Sequence, residues 1–123
     1  MKTLLLTLIL LITGPALAEW VRVAEDDNSS IYIDPATIRK DGNFRKAWEL
    51  QDLKKRNKNG ELSSRYRMEY DCKEERARIL SFTTHSGSMA GGDILFSHNT
   101  AAYWVNSAPN TWSETLLTIV CAK

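Results

Sequence analysis

The chain has only two cysteines and two histidines in 123 residues. Cys72 and Cys121 show no CxxC spacing and have no histidine beside them, which excludes the usual structural zinc patterns. His85 and His98, with Asp93 between them, match no metal-ligand spacing, so no metal is expected. A nucleophile elbow of the G-x-S-x-G type is missing, since Ser86-Gly87-Ser88 does not complete one. Glu74 and Glu75 are adjacent; on a strand they point to opposite faces and cannot act as an acid–base pair. No catalytic residue and no cofactor is therefore expected. Charge of one sign is not in excess either. The 16 Lys+Arg stand against 15 Asp+Glu, which argues against a whole-molecule field built for nucleic acid.

The long apolar run is confined to residues 1–18. Lys2 precedes it, residues 4–12 are apolar apart from Thr7, and Ala16-Leu17-Ala18 is a small-x-small cleavage site. This reads as a secretory signal peptide, too short for a span of about 20 residues. Cleavage near Ala18 leaves 105 residues in a single domain, 19–123, with 15 basic and 15 acidic side chains, because only Lys2 is lost. That length holds one core and no second domain. No transmembrane segment remains, and no cysteine closes the leader to take a lipid. The expected location is the periplasm, the cell surface or the medium.

Outside the cytoplasm thiols oxidise, and two cysteines allow a single intramolecular pairing, Cys72 with Cys121. Free or metal-bound thiols are the competing reading.

Short β segments dominate the remainder. Residues 19–24 and 30–34 form a hairpin across the polar cluster Glu25-Asp26-Asp27-Asn28-Ser29. Asp34 makes a turn hydrogen bond and Pro35 ends the second strand, with one helical turn over residues 35–39. Asp41-Gly42-Asn43 is a turn signal. Residues 44–53 form a longer strand, with Phe44, Trp48 and Leu50 on one parity and Ala47 and Leu53 on the other. Asn59-Gly60 closes the next hairpin. In residues 62–72 Leu62, Ser64, Tyr66, Met68, Tyr70 and Cys72 alternate with Ser63, Arg65, Arg67, Glu69 and Asp71, a strand with one buried face that turns Cys72 inward. Residues 76–84 return with unbroken alternation. Residues 85–92, rich in glycine and serine, read as a flexible loop or wide turn. Residues 93–96 are apolar without a clear period, and residues 101–105 are a last strand or an extended approach. Thr111 followed by Glu114 is a capping box. Trp112, Leu116, Ile119 and Val120 then recur at helical spacing, with Leu117 and Cys121 on an adjacent face. The expected fold is α+β: an antiparallel sheet of about five or six strands with one C-terminal helix packed on a face and disulfide-linked to it.

Neutral overall, the chain is uneven along its length. Residues 19–38 carry one basic and five acidic side chains, whereas residues 39–78 carry 13 and eight. The basic tip Lys54, Lys55, Arg56 and Lys58, with Arg65 and Arg67 on the next strand, reads either as a solvated hairpin that discourages edge pairing or as an adhesive patch. Its partner would be an acidic protein segment, a glycosaminoglycan or lipid headgroups. Most of the four tryptophans are expected in the core. Tyr103-Trp104, beside the loop, is the candidate aromatic contact.

Several pieces taken in order resemble the surface-adhesin protein E family of small exported Gram-negative proteins: Trp20-Val21-Arg22-Val23, Ile31-Tyr32-Ile33-Asp34 with Ala36-Thr37-Ile38, Trp48-Glu49-Leu50, the strand ending at Cys72, Trp104-Val105, and the capped helix ending Ile119-Val120-Cys121. The resemblance implies an antiparallel sheet with a C-terminal helix held by a disulfide, and an adhesin for host matrix and plasma proteins. The expected function is a non-enzymatic binding module acting through the basic hairpin. The alternative is a periplasmic envelope-associated structural protein or a loop-presenting enzyme inhibitor. A free sheet edge would also allow a homodimer.

Overall fold

The computed structural model describes residues 19–122; the expected signal peptide lies outside them. Eight antiparallel strands form one sheet: β1 (Val21–Glu25), β2 (Ser29–Ile33), β3 (Arg39–Asp41), β4 (Phe44–Leu53), β5 (Ser63–Asp71), β6 (Arg76–His85), β7 (Ile94–His98) and β8 (Val105–Asn106). The main path runs β1-β2-β4-β5-β6-β7, with β3 added beside β4 and β8 beside β6. Among the described residues there is one α-helix, α1 (Trp112–Cys121), after the last strand. The six-stranded path matches the expected sheet; β3 and β8 are the additions.

Local chemistry sets the turns. Asp26 Oδ1 accepts from the backbone N–H of Asn28 at 2.7 Å and of Ser29 at 2.9 Å, which bends β1 into β2. Asp34 Oδ1 accepts from Ala36 N at 3.2 Å and caps a single 3-10 turn, Pro35–Thr37. Thr37 Oγ1 then accepts from Trp48 N at 3.0 Å, fastening that turn to β4. Gly42, at φ +58°, permits the tight β3–β4 turn.

One face of the sheet carries the core. Ile31, Ile33, Ala47, Tyr70 and Ala77 meet Leu116, Leu117 and Val120 of α1. Each of these helix side chains contributes roughly 1.5–3 kcal/mol when fully buried. Ten residues make too short a helix to persist alone, so this contact is what holds α1 in place. Thr111 Oγ1 accepts from Glu114 N at 3.3 Å. The Glu114 carboxylate reaches back to Asn110 N at 3.0 Å, one residue beyond the expected partner. Cys72, immediately after β5, is bonded to Cys121 at the end of α1, with Cα atoms 5.8 Å apart.

Two segments differ from expectation. Unbroken alternation in residues 76–84 puts Arg78 and Phe82 on the same face. In the structure Arg67 pairs with Ser81 but Met68 pairs with Ile79, so Leu80 is an extra residue in β6. This bulge re-phases the strand and sends Arg78 and Phe82 to opposite faces. The apolar residues after Gly92 form β7, an edge strand with Ile94, Leu95 and Phe96 exposed by 61%, 46% and 52%. With both its faces open, β7 lacks the in–out contrast that makes a strand visible in a sequence.

The glycine-rich loop is pinned rather than loose. Ser63 Oγ donates to Gly87 O at 2.6 Å and accepts from Ala90 N at 2.9 Å. Met89 N donates to Asp52 Oδ1 at 2.8 Å. Gly92 sits at φ +69°, where an added Cβ would press on Ser86 Oγ and lie 2.8 Å from Gly87 N. Gly92→Ala is therefore expected to cost about 1–2 kcal/mol in urea denaturation. An unchanged midpoint would mean that the loop re-forms without strain.

Candidate functional site

The face opposite α1 is built by the other parity of the strands. Trp48 and Leu50 of β4 lie across from Arg67 and Arg65 of β5. The Arg65 guanidinium carbon stands 4.5 Å from the Trp48 ring centroid. Beside it, Thr37, Arg39, Lys46, Trp48 and Arg67 line a concavity of about 200 Å³. Further along, Arg76 and Arg78 lie 4.8 and 4.6 Å from the Trp104 ring, and Phe44 packs 6.0 Å from it. Glu69 tempers this row through a 2.8 Å ion pair with Arg78. Asp71 does the same for Arg76 at 3.0 Å. Burial favours the protonated form of Asp71, but the N–H of Glu74, the Arg76 guanidinium and the N–H of Lys73 outweigh it and hold its carboxyl below the ordinary range.

The expected basic tip is divided. Lys54 Nζ lies 2.9 Å from Glu25 Oε2. The hydrogen bond from Lys54, then its charge and that of Arg22, keep the Glu25 carboxyl below its usual value. Arg56 donates to Gly60 O at 2.9 Å and Ser86 O at 2.6 Å, serving as a brace between the hairpin and the glycine loop. Lys55 and Lys58 are exposed. Arg65 and Arg67 belong to the open face of the sheet, not to the tip. All four side chains of the basic run are exposed, and Lys54 and Arg56 in addition bind Glu25 and the carbonyls of Gly60 and Ser86.

The aromatic expectations also shift. Trp20, Trp48, Trp104 and Trp112 are all half-buried; of the four, Trp112 packs against the core cluster. Trp48 and Trp104 pack under guanidinium groups instead, an arrangement that keeps ring faces available to cations. Tyr103 is 93% exposed, while its neighbour Trp104 is part of the packed face. Residues 101–104 are extended rather than a strand, held by Ala102 N to Ile79 O at 2.8 Å.

His85 is buried, with Nε2 2.7 Å from Thr83 Oγ1. Burial, then the charge of Arg65, push its pKa down. His98 stacks with Phe96 at 6.3 Å on the edge strand. Among the described residues no group of three or more His, Cys, Asp or Glu is gathered to hold a metal ion, and no helix is long and apolar enough to cross a membrane.

One charged residue of the covered face escaped the sequence reading. Glu49, between Trp48 and Leu50, is turned toward α1 and buried, accepting from the Tyr70 hydroxyl. Burial drives its pKa up to about 8, and the Tyr70 hydrogen bond only partly opposes this. The signal available in sequence was its shared parity with Ala47.

Residues 20–122 match the family model described as surface-adhesin protein E. The chain belongs to the surface-adhesin protein E family. Solved structures of protein E from Haemophilus influenzae share the fold. A second crystal form superposes with a TM-score of 0.69 at 16% identity, covering 94% of this chain and 97% of that one. Another gives 0.68 at 15% identity, with 92% and 91% covered. The protein from a non-typeable strain gives 0.56 at 16% identity, with 93% and 83% covered. No curated protein matches the chain significantly. Within the adhesin E fold, this chain's sheet face opposite the helix is the most cationic surface described above.

Proposed function

We propose that this member of the adhesin E family is an exported, non-enzymatic binding module that grips an acidic protein surface of host matrix or plasma. The carrying observation is Arg65 stacked over Trp48 beside the concavity formed by Arg39, Lys46 and Arg67. Guanidinium groups backed by a ring hold their planar forks toward solvent at little entropic cost, ready for carboxylates. Lys55 and Lys58 of the hairpin extend the positive surface, and Tyr103 offers an aromatic anchor. Family membership supports an adhesive role and an address outside the cytoplasm.

The combined change Arg65→Ala, Arg67→Ala, Lys55→Ala and Lys58→Ala tests this, with heparin as a polyanion probe alongside immobilised matrix proteins. Binding is expected to fall by about tenfold or more near 0.15 M salt, and the wild-type signal itself to fade as salt rises. Undiminished binding would overturn the reading. The loop-presenting alternative draws on the pinned loop, whose apex residue Met89 is held at φ 55°. In that reading Met89→Asp, and not the charge changes, removes binding to a target enzyme.

A further inference from the structure

The space between α1 and the sheet is incompletely filled. A groove of about 230 Å³, open to solvent on one side, lies beside the first turn of the helix. Ile31, Leu50, Met68, Ile79, Trp112 and Leu116 give it apolar walls, and Glu49, Gln51, Tyr66 and Ser113 are its polar members. Gln51 already donates to Ser29 Oγ at 3.4 Å, and Ser113 shares a 2.7 Å hydrogen bond with Ser107. Glu49 differs from both. It is a potential anion with about four acceptor positions, one of them taken by the Tyr70 hydroxyl. A carboxyl buried among hydrocarbon costs stability, so the fold alone gives no reason to keep it there. It is the group that recognises a cation carried on an apolar body.

We propose that this groove binds a small apolar amine, its aryl or alkyl body between Trp112, Leu116, Met68 and Ile79 and its ammonium on the Glu49 carboxylate. The site lies on the face opposite the cationic surface and stands or falls independently of it. At neutral pH the free carboxyl holds a proton, because its pKa is about 8. As the ammonium enters with its own three N–H bonds intact, that proton leaves to solvent and an N–H···O⁻ ion pair forms in a low-dielectric pocket. The groups facing Glu49 are few. β5 brings Tyr66 and Tyr70, β2 brings Ile31 and Ile33, and α1 brings Trp112 and Leu116. Arg45 shares the face of β4 but lies four residues away, about 13 Å along the strand. Proton release on binding is therefore assigned to Glu49.

Calorimetric titration with 2-phenylethylamine and its neutral analogue 2-phenylethanol tests the site. The amine is expected to bind about tenfold tighter than the alcohol. Near pH 6 its heat should vary with buffer ionisation enthalpy, reporting a proton released, and its affinity should rise toward about pH 8. Glu49→Gln should erase the preference for the amine while the alcohol still binds. Should that variant not fold, Ile79→Phe, at a half-buried wall position, should exclude both probes. Equal affinity for the two probes, no binding of either at millimolar concentration, or amine binding undiminished in the variants would each overturn the proposal.

Discussion

Replacing Cys72 and Cys121 together by alanine is expected to lower the unfolding free energy by about 4 kcal/mol, the chain-entropy value for a closed loop of this size. The bond spans 49 residues, so its loss frees a large part of the unfolded ensemble. Single domains typically hold only about 5–15 kcal/mol of net stability. The variant should therefore unfold at much lower urea, and it should lose α1 first. The helix is ten residues long, and three of its side chains belong to the core cluster. Once released at its C-terminal end, it has neither the length to persist nor the tether to return. Amide exchange should show α1 opening before β4, β5 and β6. A loss below about 1 kcal/mol would show that burial of Leu116, Leu117 and Val120 is by itself enough to dock the helix.

The parts of this fold that were legible in the sequence are those written in local period. Strand β5 shows it best: Tyr66, Met68 and Tyr70 alternate with Arg65 and Arg67, and the two sets do face opposite ways. The capped helix and the inward cysteine at the end of β5 follow from equally local rules. What stayed hidden depends on contacts distant in sequence or on one inserted residue. Leu80 has no mark that makes it a bulge, yet it moves Arg78 onto Trp104. Lys54 resembles its basic neighbours, and only the return of β1 beside the tip brings Glu25 to it. Tryptophans read as core because of their area. In a sheet with a single covering helix, however, the second face must be shielded by something, and here the aliphatic stems and planar heads of arginines do it. The candidate site was half-legible for the same reason. Arg65 and Arg67 were visible as an outward pair, while Lys46 is brought beside them by the β4–β5 pairing and Arg39 by the β3–β4 pairing.

Glu49 makes stability fall as pH rises. Its carboxyl has a pKa of about 8 in the fold against 4.5 for the free side chain. Between those values the native state binds a proton that the unfolded chain does not, so the slope of unfolding free energy with pH is negative. Its stabilising contribution is fully present below about pH 4.5, declines by about 1.4 kcal/mol per pH unit, and is gone above about pH 8, a total on the order of 5 kcal/mol. Other groups act elsewhere or in the opposite sense. Asp71 has a lowered pKa, so what it contributes is lost only as pH falls through the acid range. His85 also has a lowered pKa; the unfolded chain takes up its proton first, and stability rises with pH near the imidazole range. The difference between wild type and Glu49→Gln cancels both. Glutamine keeps an acceptor for the Tyr70 hydroxyl and carries no charge, so near pH 5 the two proteins should differ by only about 1 kcal/mol. By pH 8 the variant should be the more stable protein by several kcal/mol, with the two urea midpoints crossing between these pH values. Parallel curves across this range would mean that the carboxyl is ionised in the fold and that a cation compensates it there. That result would leave the groove without its free acceptor.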